Sequence, residues 1–373
     1  MISQRSIKCV IMRGGTSKGV FFHERDLPAD QDERDRLILE IMGSPDPRQI
    51  NGLGGADHLT SKIAIVGPGA AHGADVTYTF GQVGVSVPYV SHSTNCGNIS
   101  SAVGVFAIEE GLVAATEPIT TVRIFNTNTN RMLLSHVPVR NGLPEIEGNY
   151  SIAGVPGTGA EIRLDYSQTQ GANTGKLLPT GNARDKLFVP ELGRSIMVSI
   201  VDVAKATMYF HASEVGIKGT EGPGEFSEEM LQRFWAVHLA GAKLIGLDPK
   251  RRMPTPVSVL EPTDYTDFMT KRNVSKGEMS FVARRVVGPP ANLHKAFAAT
   301  GAVCTAVAAI IPGTIVHEVA RDFGDGVVRL GHPTGIFPVR VARDNEGNLT
   351  EASYSRTARR LMDGSSYVPS GKA

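Results

Sequence analysis

The chain's 373 residues, 41% of them hydrophobic and 20% charged, suit a folded protein of two domains and exclude a disordered chain. With 38 basic against 37 acidic side chains and no long run of either sign, nucleic acid is excluded as an expected partner; no apolar stretch approaches the roughly 18 residues of a membrane span, so no membrane partner is expected either. Three scattered cysteines, Cys9, Cys96 and Cys304, are too few for a disulfide framework or a zinc ribbon.

The N-terminus runs straight into a strand-like segment at residues 8–12 without the pattern of a signal peptide, and a cytoplasmic location is expected. The MRGGTSKG run that follows is only superficially a phosphate loop, because Lys18 precedes Gly19 and a strand-like VFF instead of Ser or Thr and a helix. Its glycines shape a turn that presents Thr16, Ser17 and Lys18 to an anion. Apolar spacing predicts a helix over residues 30–42 and a strand over 62–66, with Thr60, Ser61 and Lys62 at its mouth. A lysine at a strand end is ordinarily solvated, so position alone gives Lys62 no role.

A helix is predicted over residues 98–111, behind an Asn95-Cys96-Gly97-Asn98 turn. A helix N-terminus has free N–H groups and partial positive charge, and binds carboxylate without a charged side chain. A thiol there has a lowered pKa and can exchange protons; the competing reading is an inert buried cysteine. Cys9 and Cys304 lie in apolar runs that read as core.

Further strands are predicted over 122–125 and 195–201, and helices over 227–245, 301–311 and, more polar, 355–362. The turn-rich LPTGNARD at 178–185 marks the crossing between halves, giving domains 1–184 and 185–373, with the extreme C-terminus free to return to the first half. The halves echo one another. NCGNISSAVGVFAI from Asn95 matches ATGAVCTAVAAIIP from Ala299 in kind at nearly every position, with Cys96 opposite Thr300 and Gly97 opposite Gly301. Such a repeat implies two copies of one domain, each with a glycine turn feeding a central helix. Ten histidines form no H-E-x-x-H pair, and there is no C-x-x-C or G-x-S-x-G, so neither a metal nor a serine hydrolase is expected.

MRGGTSKG, GLGGADHLTSKIAIV, NCGNISSAVGVFAIEEGL, LLPTGN, IKGTE, the stretch from His294 to Thr314 and the closing GHPTG run nearly the whole chain in order. Together they resemble the PrpF family of isomerases. The resemblance implies an α/β (α+β) fold like that of diaminopimelate epimerase: two pseudo-symmetric domains, each a sheet wrapped around a central helix, with the active site in the cleft between them. It implies Lys62 and Cys96 as the acid and base. Where the epimerases have a second thiol this chain has Thr300, so symmetric two-thiol chemistry is not expected. Where some relatives carry glycine-asparagine-proline, it has Ala204-Lys205-Ala206.

The expected activity is cofactor-independent isomerisation of a small unsaturated tricarboxylate such as aconitate or 2-methylaconitate, by an allylic proton shift or rotation about the C=C bond. The alternatives are 4-oxalomesaconate tautomerisation and methylitaconate Δ-isomerisation. A different class, a non-catalytic polycarboxylate-binding accessory protein, would have no need of an acid and a base. Carboxylate recognition is expected from N–H groups of Gly97, Asn98, Gly301 and Ala302. Around them are placed Thr16, Ser17, Lys18, Ser61, Asn95, His294, Thr300 and the turn of His332, Pro333, Thr334 and Gly335. The expected partner is a small di- or tricarboxylate, and a homodimer is admitted. Lys18 is the expected cation that lowers the pKa of Lys62.

Overall fold

The structure is a computed structural model and describes residues 4–93, 95–152, 154–288 and 291–369. The chain divides into two compact units, Met1–Asp165 with Ser355–Ala373, and Tyr166–Tyr354. It passes from the first to the second after Asp165, earlier than the crossing expected at residue 184, and returns after Tyr354.

In chain order the elements are β1 (Gln4–Gly14), β2 (Ser17–His23), α1 (Gln31–Met42), β3 (Lys62–Pro68), β4 (Val76–Val83), β5 (Val90–Ser91) and α2 (Gly97–Glu109). Next come β6 (Ile119–Asn126), β7 (Arg131–Arg140), β8 (Leu143–Pro144), β9 (Ile162–Asp165), β10 (Asp185–Val189), β11 (Arg194–Val203), β12 (Lys205–His211) and α3 (Glu228–Leu244). The rest are β13 (Thr255–Leu260), β14 (Tyr265–Thr266), β15 (Asn273–Val274), β16 (Phe281–Val287), β17 (Asn292–Leu293), α4 (Ala299–Ala309), α5 (Ile315–Val319), β18 (Val327–His332), β19 (Gly335–Arg343), β20 (Leu349–Arg356) and β21 (Ala358–Pro369).

In unit 1 the strands run β21-β1-β2-β3-β4-β6-β7-β9, with successive pairs antiparallel, antiparallel, parallel, antiparallel, parallel, antiparallel and antiparallel. In unit 2 they run β10-β11-β12-β13-β16-β18-β19-β20 with the same sequence of senses. A helix precedes the third-to-fourth parallel partner in each: α1 before β3, α3 before β13. The central helices, α2 and α4, likewise fall before the second parallel crossover strand. The echo read in the sequence is therefore a repeat of the whole topology.

Each central helix is apolar all round because its own sheet surrounds it. From Ile99 to Ile108 every residue of α2 is buried, and so is every residue of α4 from Gly301 to Ala309. α1 is amphipathic instead: Asp30 caps it by accepting from the Glu33 N–H at 2.9 Å, and Leu37, Ile38 and Ile41 pack on Phe22, Ile63 and Ile65. Strand alternation then turns the other faces of β2 and β3 toward α2, as the Phe21–Phe106 ring contact at 5.6 Å shows.

Close approach of β1 to α2 depends on Gly14, where a Cβ would fall 2.3 Å from the backbone oxygen of Asn98 and 3.2 Å from the Ala102 Cβ. Backbone cannot swing aside as a side chain can. Gly14→Ala is expected to destabilise the protein by about 1–3 kcal/mol, seen as a lower Tm. An unchanged melting curve would mean that the helix is free to shift.

One predicted element is wrong in kind. Residues 355–362 form no helix; they end β20 and begin β21, which pairs with β1 from Gly14↔Ala358 to Gln4↔Pro369. The charged RTARRLM run has helical spacing, but backbone pairing with β1 overrides so weak a local preference.

Candidate active site

In unit 1 the site grows from the N-terminus of α2. Cys96 is its N-cap, in an extended conformation (φ −115°, ψ 105°), and the thiol makes no capping hydrogen bond. The first intrahelical bond runs from the Ser100 N–H to the Cys96 carbonyl at 2.9 Å, so the N–H groups of Gly97, Asn98 and Ile99 have no partner within the helix. Side chains around the turn hold it in place. Asn98 donates Nδ2–H to Thr16 Oγ1 at 2.8 Å and accepts from Arg356 Nε at 3.2 Å, and Ser100 Oγ donates toward Asn95 Oδ1 at 3.0 Å.

Lys62 opens β3 on the face turned to α2. It is 5% exposed, and its Nζ donates to Gln82 Oε1 at 2.5 Å and lies 5.4 Å from the centroid of the Phe80 ring. Gln82 is itself oriented, since its Nε2 donates to the carbonyls of Ser61 at 3.0 Å and His58 at 3.1 Å, leaving the amide oxygen for the lysine. Burial lowers the Lys62 pKa below its ordinary 10.5, against the opposing pull of a Cys96 thiolate and of Asp57. The two proposed proton carriers are thus within electrostatic reach of one another. On the same face the Ser17 hydroxyl is buried and has no hydrogen-bond partner among the described residues.

Two expected contributors are corrected. Lys18 alternates with Ser17 and Gly19, whose backbone faces Ile99 of α2, so its side chain projects from the opposite face of β2. Burial, not the Lys18 charge, is what lowers Lys62. Ser61 likewise alternates with Lys62; it is fully buried and its hydroxyl donates to Gln49 Oε1 at 2.6 Å, which also accepts the Ala56 N–H at 2.8 Å. Ser61 braces the loop and has no hydroxyl to offer a ligand.

In unit 2 the N-cap of α4 is Ala298, two residues ahead of the position read from the echo. By cap position Ala298, not Thr300, corresponds to Cys96, and Thr300 is the second helical residue. The Ala302 N–H is bonded to the Ala298 carbonyl at 2.9 Å and is therefore not available to a carboxylate; the open groups are those of Ala299, Thr300 and Gly301. Cys304 is wholly buried, with its thiol donating to the Val201 carbonyl at 3.3 Å, and burial raises its pKa to about 11. His332 and Gly335 close the β18–β19 hairpin around Pro333 and Thr334, and Tyr265 pins that turn by donating toward the carbonyls of His332 at 2.8 Å and Gly335 at 2.6 Å. Those bonds fix the shape of the turn.

Near α4 stand Lys205, noted in sequence only as a departure from the relatives' glycine-asparagine-proline, and Arg285, which the sequence reading did not single out. Lys205 opens β12, after Ala204 in the left-handed region (φ 58°), and Arg285 lies in β16. Burial and the charges of Arg285 and Arg252 lower the Lys205 pKa to about 7; burial followed by Arg285 lowers His294 to about 4. His294 is therefore neutral at pH 7. Its Nδ1 accepts the Ala296 N–H at 3.2 Å, which leaves the ring proton on Nε2 as a donor. A signal for Arg285 was present: two arginines in succession in the apolar strand FVARRVV, one of which alternation must turn inward. Gln82 had none, being one polar residue in an otherwise ordinary strand.

Among the described residues no three His, Cys, Asp or Glu side chains gather closely enough to hold a metal ion, and no helix is long and apolar enough to cross a membrane. The PrpF protein family matches residues 4–369. A 3-methylitaconate isomerase of Eubacterium barkeri is 45% identical, with 100% of each chain covered. A 2-methyl-aconitate isomerase of Shewanella oneidensis is 35% identical, with 98% of each covered. The crystal structure of a methylitaconate-delta-isomerase superposes with a TM-score of 0.91 at 45% identity, over 98% of this chain and 96% of that one.

Proposed function

The chain belongs to the PrpF protein family, and from that premise we propose that it is a cofactor-independent isomerase that moves an allylic proton on a small unsaturated di- or tricarboxylic acid. The observation that carries this reading is Lys62, buried at the head of β3 within electrostatic reach of the Cys96 cap of α2. Sequence identity of 45% to a 3-methylitaconate isomerase and to the solved methylitaconate-delta-isomerase, against 35% to a 2-methyl-aconitate isomerase, favours methylitaconate as the first acid to test. The aconitates and 4-oxalomesaconate follow it.

The chemistry balances with one proton. The neutral Lys62 amine, held by Gln82 with its lone pair free, takes a proton from a carbon flanked by a C=C bond and a carboxylate. The electron pair left behind spreads over the allylic carbons and the carboxylate, and the open N–H groups of Gly97, Asn98 and Ile99 stabilise that charge as it forms. A proton then returns at the far end of the allylic system, either from the Lys62 ammonium directly or from the Cys96 thiol, whose thiolate is then reprotonated by the Lys62 ammonium so that both groups are restored. No electrons are gained or lost.

Proton NMR in D2O on methylitaconate, 2-methylaconitate, the aconitates and 4-oxalomesaconate tests the reading: isomer interconversion with deuterium entry is expected for at least one. Silence across the panel would refute it. The pH profile gives a second check. A base must be deprotonated, so kcat/KM should rise with pH, and burial of Lys62 places the midpoint of that rise below 10.5. A midpoint at or above 10.5 would exclude this lysine as the base. The same depression means that the unfolded chain binds more protons than the folded one between the lowered and the ordinary pKa, so Lys62 makes folding stability rise with pH across that window.

A further inference from the structure

Arg284 and Arg285 are neighbours in β16, and alternation sends them to opposite faces. Arg284 is fully buried and satisfied: its Nε donates to the Glu221 carbonyl at 2.6 Å, Nη1 to Ala283 at 2.9 Å and Nη2 to Thr220 at 2.9 Å. Arg285 differs. It is 4% exposed, yet its Nε and Nη1 have no hydrogen-bond partner among the described residues. Nη1 lies against the first turn of α4, 3.2 Å from where a Cβ on Gly301 would stand.

A buried guanidinium without an anion is unfavourable, and the acidic side chains beside it, Tyr209 and Cys304, have their pKa values raised by burial and stay neutral, so neither cancels its charge. Lys205 and Arg252 are near enough to act on one another, the helix end contributes its own partial charge, and neither Lys205 nor Arg285 forms an ion pair with a carboxylate among the described residues. The planar fork of an arginine and the open N–H groups of a helix turn both suit the two oxygens of a carboxylate. Glycine at 301 lets the Arg285 guanidinium itself come close to the helix.

We propose that Arg285, the open first-turn N–H groups of α4 and Lys205 form a carboxylate-binding site within unit 2, taking one carboxylate of a small polycarboxylic acid. That this acid is also the substrate rests on the functional reading above; the binding does not. Tricarballylate, a saturated tricarboxylate that cannot isomerise, serves as the probe. Calorimetric titration and melting curves would compare the wild type with Arg285→Met and Lys205→Met, with inorganic phosphate as the competing oxyanion.

Arg285→Met is expected to weaken tricarballylate binding about 10- to 100-fold, and Lys205→Met to weaken it less. Without ligand, Arg285→Met should melt no lower than the wild type, because a buried unpaired cation has been removed. Equal tricarballylate affinity in the wild type and Arg285→Met would overturn the site, as would phosphate binding as tightly as tricarballylate in an Arg285-dependent way. The isomerase assay on the same preparations separates the two proposals. Arg285-dependent binding without turnover of any panel acid keeps the site and rejects the function, whereas turnover with KM and tricarballylate affinity indifferent to Arg285 does the reverse.

Discussion

Lys62→Met should lower turnover by roughly 10²- to 10⁴-fold or more while leaving carboxylate binding nearly intact. Methionine keeps the length and apolar body of the side chain, so it can fill the same space beside the Phe80 ring, and it removes the amine that lies 2.5 Å from Gln82 Oε1. The unpaired amide oxygen of Gln82 is then the main structural penalty, about 1–3 kcal/mol, visible as a lower Tm and separable from the chemical effect. Exchange of the allylic proton with D2O is the decisive measurement, because it reports proton abstraction even where product release limits turnover. Exchange near the wild-type rate in Lys62→Met would remove this residue from the mechanism.

Cys96→Ser should separate stability from catalysis. Serine is a strong capping residue, whereas the Cys96 thiol makes no capping hydrogen bond, so the serine oxygen is expected to accept a first-turn N–H of α2 and strengthen the helix by up to about 1 kcal/mol. That same bond occupies an N–H group on which the reading relies for the developing charge. The hydroxyl is also a far weaker acid than a thiol, so the return of the proton is slowed. A Tm equal to or above that of the wild type, with turnover reduced on the order of 100-fold, is the expected pair of results. Cys304→Ser, whose thiol is buried in the core and donates to the Val201 carbonyl, should leave turnover close to normal. Equal damage from the two substitutions would reverse the assignment of roles.

The residues that were legible in sequence are those whose chemistry is written locally. A thiol in a glycine turn before an apolar run identifies Cys96 as a cap, and Asp30 before an amphipathic run starts α1 where the structure has it. Lys62 was not legible from position, since its value lies in the Gln82 and Phe80 contacts made by a strand distant in sequence; the family resemblance supplied it. Lys18 and Ser61 were misplaced for a single reason: strand alternation decides which face a side chain serves, and a loop motif does not reveal the phase. Ala302 was misplaced because the N-cap, Ala298, has no side-chain oxygen to mark the helix start, whereas Thr300, which has one, lies inside the first turn. The two arginines of FVARRVV signalled one buried charge, but which of them lacks a partner is settled only by contacts with distant segments, and so Arg285 went unnoticed.

The pairing of β1 with β21 sets an order of events on the ribosome. Unit 2 is one uninterrupted stretch, Tyr166–Tyr354, and all its strands exist before the last residues are made. Unit 1 is split, and its first strand awaits a neighbour more than 340 residues away, from Gly14↔Ala358 to Gln4↔Pro369. The half carrying Lys62 and Cys96 is thus begun first and completed last. Until β21 arrives, β1 presents an open strand edge through the whole synthesis of the second half, which makes the nascent chain, more than the finished protein, the form exposed to edge-to-edge misassembly.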